Sequence, residues 1–156
     1  MGQMVKPSLQ CISFEEMLEK EGVLVYTNVG VSMMPLLRQR KDIIEIRRKM
    51  ERCHKYDVVL YKRGKKYILH RILKVLPDGY LIAGDHCFTI EKDIQDDRIL
   101  GVMTRVIRNG RSITPDNLIY RLYVHLWCDF YPARMCILWL KRTIRNFIGE
   151  ILRKMR

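Results

Sequence analysis

The chain has 156 residues, 48% of them apolar and 29% charged, with a formal net charge of +12. That length and apolar content exclude a disordered or fibrous chain and fit one domain with room for an appendage. The charge favours an anionic partner (nucleic acid, anionic lipid or an acidic peptide) without choosing among them.

Residues 12–21 are predicted to form a short helix. Ser13 suits its N-cap, Glu16 completes a capping box, Phe14, Met17 and Leu18 give one apolar face, and Gly22 ends it. Residues 23–113 read as mostly strand. Val23–Tyr26 is β-branched and aromatic, Asp42–Arg47 begins the next strand, and Asp57–Lys62 follows. Arg63-Gly64-Lys65 reads as a hairpin loop into a long strand from Tyr67 to Leu76. Pro77-Asp78-Gly79 is a turn, Tyr80–Ala83 returns, and Ile99–Ile107 turns at Asn109-Gly110. Closely spaced strands with short turns predict a compact β domain, not βαβ units.

From residue 116 the pattern changes. Residues 118–131 are aromatic and apolar, Pro132 is read as a break, and residues 133–156 form a second helix. Its Cys136, Ile137, Leu140, Ile144, Phe147 and Ile148 recur at helical spacing, and its other side is basic. Two roles fit such helices: a cap with Trp127 and Trp139 in a core, or an interfacial helix on anionic lipid. The expected organisation is a segment 1–22 with a short helix, a β domain over 23–115 and a basic amphipathic extension over 116–156. The fold class is mainly β.

Cys11, Cys53, Cys87, Cys128 and Cys136 are odd in number and form no tight framework, which fits a reducing compartment. Zinc held by Cys53-His54 and His86-Cys87 is disfavoured. No Cys-x-x-Cys spacing exists, and neighbours on a strand point to opposite faces. No metal and no cofactor is expected. No apolar run near the N-terminus suits a signal core or anchor, and no window reaches the roughly 18 apolar residues of a spanning helix. The expected location is cytoplasmic, with peripheral contact at the inner membrane face through the C-terminal helices.

Three short stretches carry chemistry. In Gly30-Val31-Ser32-Met33-Met34-Pro35 a serine follows a strand, between a glycine that permits an unusual turn and a proline that stiffens the exit. Such a setting aims a hydroxyl with backbone N–H groups nearby, as a nucleophile requires; it also suits an ordinary turn serine. In Tyr67–Ile72, alternation puts His70 on a face with Ile68 and Ile72, where apolar surroundings keep the imidazole neutral. In Ala83-Gly84-Asp85-His86, a carboxylate at a strand end is placed to hold the far nitrogen of His70, and Glu91 is a second candidate.

Together these stretches resemble the type I signal peptidases and their LexA-like relatives. Ser-Met-x-Pro, a strand ending His-Arg-Ile, and then Gly-Asp occur in the family's order over roughly residues 28–110. Bacterial signal peptidases and LexA-like proteins carry a lysine base where this chain has His70. The histidine is similar to the endoplasmic-reticulum and archaeal branch. The resemblance implies a serine endopeptidase that cleaves a peptide or leader sequence. Ser32 would be its nucleophile, His70 its base, Asp85 its Gly-Asp acid, and Glu91 would stand near a further catalytic aspartate. Asp57-Val58-Val59 matches a Gly-Asp-Val-Val segment, and Lys41-Asp42 falls near a Gly-Asp after the serine. The substrate would bind as an extended strand. Three departures stand out: Val31 in place of glycine before the serine, His86-Cys87 after Gly-Asp, and no N-terminal membrane anchor.

Other readings are a self-cleaving LexA-like regulator and a non-catalytic binding module associated with nucleic acid or membrane. About thirty residues before Ser32 are too few for a helix-turn-helix module with its linker, and no Ala-Gly cleavage pair of the LexA kind is present. The basic residues are spread along the chain and no aromatic stacking motif stands out, which disfavours nucleic acid.

Overall fold

The structure is a computed structural model that describes residues 12–154. The first half of segment 1–22, Cys11 and the last two residues of the helix read to 156 lie outside the described residues. The fold is mainly β, as the sequence predicts. Helix α1 (Phe14–Glu21) leads into β1 (Val23–Thr27), β2 (Ile43–Arg48), β3 (Val58–Arg63), β4 (Lys66–Leu76), β5 (Gly79–Ala83) and β6 (Glu91–Ile94). A single 3-10 turn (Asp96–Arg98) precedes β7 (Ile99–Arg108) and β8 (Arg111–Ile113), and α2 (Leu118–Cys128) and α3 (Tyr131–Lys154) end the chain. The strands form one antiparallel sheet in the order β1-β2-β7-β3-β4-β5-β6, with β8 paired to β7.

Local chemistry explains the first helix. Ser13 Oγ accepts from the Glu16 N–H and the Glu16 carboxylate accepts from the Ser13 N–H, so both orphan donors are used. Gly22 closes the helix at φ 69°, a conformation that glycine adopts without steric cost. The apolar face is pinned by Leu18 in the core and by Phe14, whose ring stacks on Tyr67 at 4.7 Å.

Strand β3 is buried on both faces. Val58 and Leu60 join a core with Leu18, Ile44, Ile46 and Met103, while Val59 and Tyr61 join a second core with Ile72, Tyr80, Ile82 and Ile99. Alternation therefore gives the two faces of β3 and β4 separate environments. Met33 and Leu37, 1% and 0% exposed, belong to the first core and anchor the segment that carries Ser32.

The C-terminal helices differ from each other. Helix α2 is capped by Asn117, whose side chain accepts from the Ile119 and Tyr120 N–H groups, and it buries Tyr120 and Val124 in the first core. It ends three residues earlier than predicted. Pro132 does not separate the helices: it lies in the first turn of α3, where no intrahelical N–H bond is lost. Trp127 is half-buried against the domain, but Trp139 is 63% exposed and belongs to no core. No helix among the described residues is long and apolar enough to cross a membrane.

Candidate active site

His70 lies in the middle of β4, opposite Val59 of β3, on the face of the second core. It is 7% exposed. Its Nδ1 is 3.0 Å from Glu91 Oε1 and 3.3 Å from the Tyr61 hydroxyl. The Tyr61 O–H donates to the same Glu91 oxygen at 2.6 Å, and Arg63 Nη1 donates to Glu91 Oε2 at 2.9 Å. Register explains the grouping. Tyr61 stands two residues from Val59 on the same face of β3, diagonal to His70, and Glu91 pairs with Ile82, which faces the second core.

Glu91 thus occupies the Nδ1 side of the ring. A hydrogen on Nδ1 directed at Glu91 fixes the tautomer and leaves the Nε2 lone pair free to take a proton. Burial lowers the His70 pKa below its usual value, and the Glu91 charge works in the opposite direction. The imidazole is accordingly neutral at pH 7. The Tyr61 phenol is pushed far up, first by burial and then by its bond to Glu91, so it remains a donor.

The Nε2 side meets the turn after β5. Arg71 pairs with Ala83, so Gly84 comes opposite His70. A Cβ on Gly84 would lie 2.9 Å from His70 Nε2, 2.7 Å from Cys87 Sγ and 2.6 Å from the Ser32 carbonyl oxygen. The Ser32 carbonyl and the His70 Nε2 edge therefore both border one glycine, while Ser32 Oγ lies on the side of Gly30. The turn is tied to the serine by the His86 N–H, which donates to Ser32 O at 2.7 Å. Among the described residues Ser32 Oγ makes no hydrogen bond with His70, and the backbone N–H groups of Ser32 and Met33 have no acceptor. Catalytic contacts in unliganded sites are often long and tighten on binding. Asn28 braces the strand exit through Nδ2 to Gly30 O at 2.8 Å.

The sequence left Asp85 and Glu91 as alternatives for orienting His70; Glu91 makes that contact and Asp85 does not. Arg71 follows His70 and so projects from the opposite face of β4, and Asp85, one residue past Gly84, projects with it. There Arg71 Nε and Nη2 donate to the two Asp85 oxygens at 2.9 and 2.7 Å. Tyr123 O–H donates to Asp85 Oδ2 at 2.9 Å, and Trp127 Nε1 to the Asp85 carbonyl at 2.8 Å. Asp42 is likewise bound, by Arg108, and Asp57 Oδ2 accepts from the His54 N–H.

Sequence reasoning passed over Tyr61 and Arg63. The alternation of Val59 and Tyr61 on β3 carried the signal for Tyr61. Cys87 also adjoins the site, with Sγ 4.0 Å from His70 Nε2 and its thiol pKa raised by burial. No three or more His, Cys, Asp or Glu groups converge on a metal site among the described residues. No family model matches the chain, and no curated protein sequence matches it.

Gly84→Ala is expected to damage this junction. The added methyl meets backbone at Ser32, which cannot swing aside as a flexible side chain would. Overpacking of this kind costs about 1–3 kcal/mol. If this junction is catalytic, a displacement of about 1 Å between Ser32 and His70 should lower turnover by about 10²-fold. Thermal unfolding and kcat/KM measured on the same preparation check both effects.

Proposed function

We propose that this chain is a serine endopeptidase of the signal-peptidase type that cleaves a peptide or leader sequence. The observation that carries this reading is a buried neutral His70, held at Nδ1 by Glu91, with Nε2 turned toward the Ser32 segment. Ser32 Oγ attacks the scissile carbonyl carbon while His70 Nε2 takes its proton. The same proton then passes to the leaving amine, and water hydrolyses the acyl-enzyme by the reverse relay. Glu91 stabilises the imidazolium formed between these steps, and the free Ser32 N–H faces the developing oxyanion. Asp85 acts as a structural partner of Arg71.

The substrate binds extended along β1. Among the described residues that strand pairs only with β2, and its far end runs into the Ser32 segment. Beyond Ser32, a cleft of about 830 Å³ between residues 35–36, the β7–β8 hairpin and α2 accommodates further substrate residues. The place of action is the cytoplasm, at the inner face of the membrane. Cys53, Cys87, Cys128 and Cys136 are free thiols, the form that a reducing compartment maintains. Incubation with a diverse peptide mixture, read by mass spectrometry, tests the proposal. Cleavage by wild type and none by Ser32→Ala is expected, and cleavage by both or by neither overturns it.

The pH dependence gives a further check. Because the His70 pKa lies below its usual value, kcat/KM should rise with pH along an acid limb and be level by pH 7. Glu91 raises that pKa, so Glu91→Gln should move the limb to still lower pH. The loss of imidazolium stabilisation should lower the plateau by about 10²-fold or more. Arg63 and Tyr61, which face Glu91, and Cys87 and Asp85, which lie beyond the ring, are unchanged in this variant. A limb that moves upward would contradict the assigned contact.

A further inference from the structure

Among the described residues, helix α3 is attached to the domain only at its start. Arg134 and Leu138 are buried, and every residue from 139 to 154 is exposed. Ile137, Leu140, Ile144, Phe147, Ile148 and Ile151 recur three or four residues apart, so they lie along one side of the helix. Each is between 42% and 64% exposed. A row of large apolar side chains over about 20 Å of helix is more than a lone surface leucine, and it marks an interaction surface.

Charge selects the occupant. Lys141 and Arg145 stand beside the row, Arg153 and Lys154 follow its end, and Glu150 is the one acidic residue of α3. The basic groups extend toward the domain: Lys141 and Arg145 lie near enough to His86 to lower its pKa further, after burial. A second copy of this chain would bring these cations against each other. An anionic bilayer surface accepts both halves of the pattern, the apolar row at the acyl boundary and the cations among the headgroups.

We infer that α3 is an interfacial helix that docks the protein on an anionic lipid bilayer through the row Ile137–Ile151 and its basic flank. The inference stands apart from the peptidase reading, but it bears on where the site works. Arg134, in the first turns of the same helix, donates to the carbonyls of Gly84 and Cys87 at 2.5 and 2.9 Å. Docking of α3 therefore holds the Ser32–His70 junction close to the membrane.

Flotation of the full chain with vesicles tests the inference. The vesicles are phosphatidylcholine alone, or phosphatidylcholine with about one-third phosphatidylglycerol. The chain is expected to float with the second and not the first, and to lose flotation in high salt. The triple variant Ile144→Ser/Phe147→Ser/Ile148→Ser should lose about tenfold or more in partitioning. Its circular dichroism and unfolding midpoint should not change, because these side chains pack on nothing in the domain. Lys141→Glu/Arg145→Glu should abolish the preference for anionic vesicles. Ser32→Ala should float as wild type does, which separates failure here from failure of the peptidase reading. Three results would overturn the inference: no flotation with anionic vesicles, equal flotation of the triple variant, or a dimer in light scattering that the triple variant dissolves without any lipid binding.

Discussion

Ser32→Ala is expected to lower peptide hydrolysis by about 10⁴-fold or more while leaving thermal unfolding where it was. The two halves of this expectation have different causes. Activity falls because the Oγ proposed to form the acyl bond is gone. Stability holds because that hydroxyl bonds to nothing among the described residues and is not fully buried, so its removal falls within about 0.5 kcal/mol. His70→Ala should be as inactive, since an unactivated serine hydroxyl is a poor nucleophile at neutral pH. The double variant should be no worse than either single one, because the two groups act as a unit. A serine-reactive peptide-like probe reads the same point by intact mass. One adduct is expected on wild type and none on either variant, and equal labelling of all three would make Ser32 an ordinary turn residue. His70→Ala also removes a ring that is 7% exposed, so its unfolding midpoint should drop. The serine variant is therefore the cleaner measure of chemistry.

What the sequence made legible was local. The capping box at Ser13 and Glu16 is chemistry within four residues, and it appears as read. The alternation through Ile68, His70 and Ile72 gave the face on which the histidine lies, because a strand in a two-sided core obeys period two. Strand β6 was not legible. Glu91-Lys92-Asp93-Ile94 is charged, Asp93 has φ 59°, and the segment is a strand because β5 offers it an edge. Without β6 the Glu91 carboxylate could be offered as a second candidate for His70 but could not be placed over the ring from pattern alone. The choice between Asp85 and Glu91 stayed open for a related reason. The distance of Asp85 along the chain from Gly84 was visible, but the side of the sheet on which Arg71 awaited it depended on the register of β4 with β5. The α3 pattern was legible as amphipathic, yet amphipathicity does not distinguish a core from another apolar phase. Only the packing shows that α2 covers the domain and that α3, past Leu138, does not.

Breaking the Arg71–Asp85 pair is expected to have the largest effect on stability. Both side chains are 0% exposed, and the contact is bidentate. Burial works against the charge on Arg71, but Asp85 outweighs it and holds the guanidinium firmly protonated. Arg71 Nη1 also donates to Tyr56 O at 2.9 Å and to the Tyr120 hydroxyl at 3.0 Å. With Tyr123 and Trp127 bonded to Asp85, one ion pair joins β4, the turn after β5, α2 and the Tyr56 segment. Asp85→Ala leaves a buried cation without its partner, which costs about 3–5 kcal/mol. That is a large share of the ~5–15 kcal/mol available to a domain, and it should lower the unfolding midpoint by about 6–20 °C. The companion variant Arg71→Met/Asp85→Leu removes both charges together and should recover much of that loss, because no ion is left stranded. The pair of variants separates the structural role from the orienting role that the sequence suggested. An orienting residue would lose activity with its fold intact. A structural one loses its fold first, and its activity only as the Gly84–Cys87 turn loosens beneath Ser32. If Asp85→Ala unfolds within about 1 °C of wild type, the ion pair is not what holds α2 against the sheet.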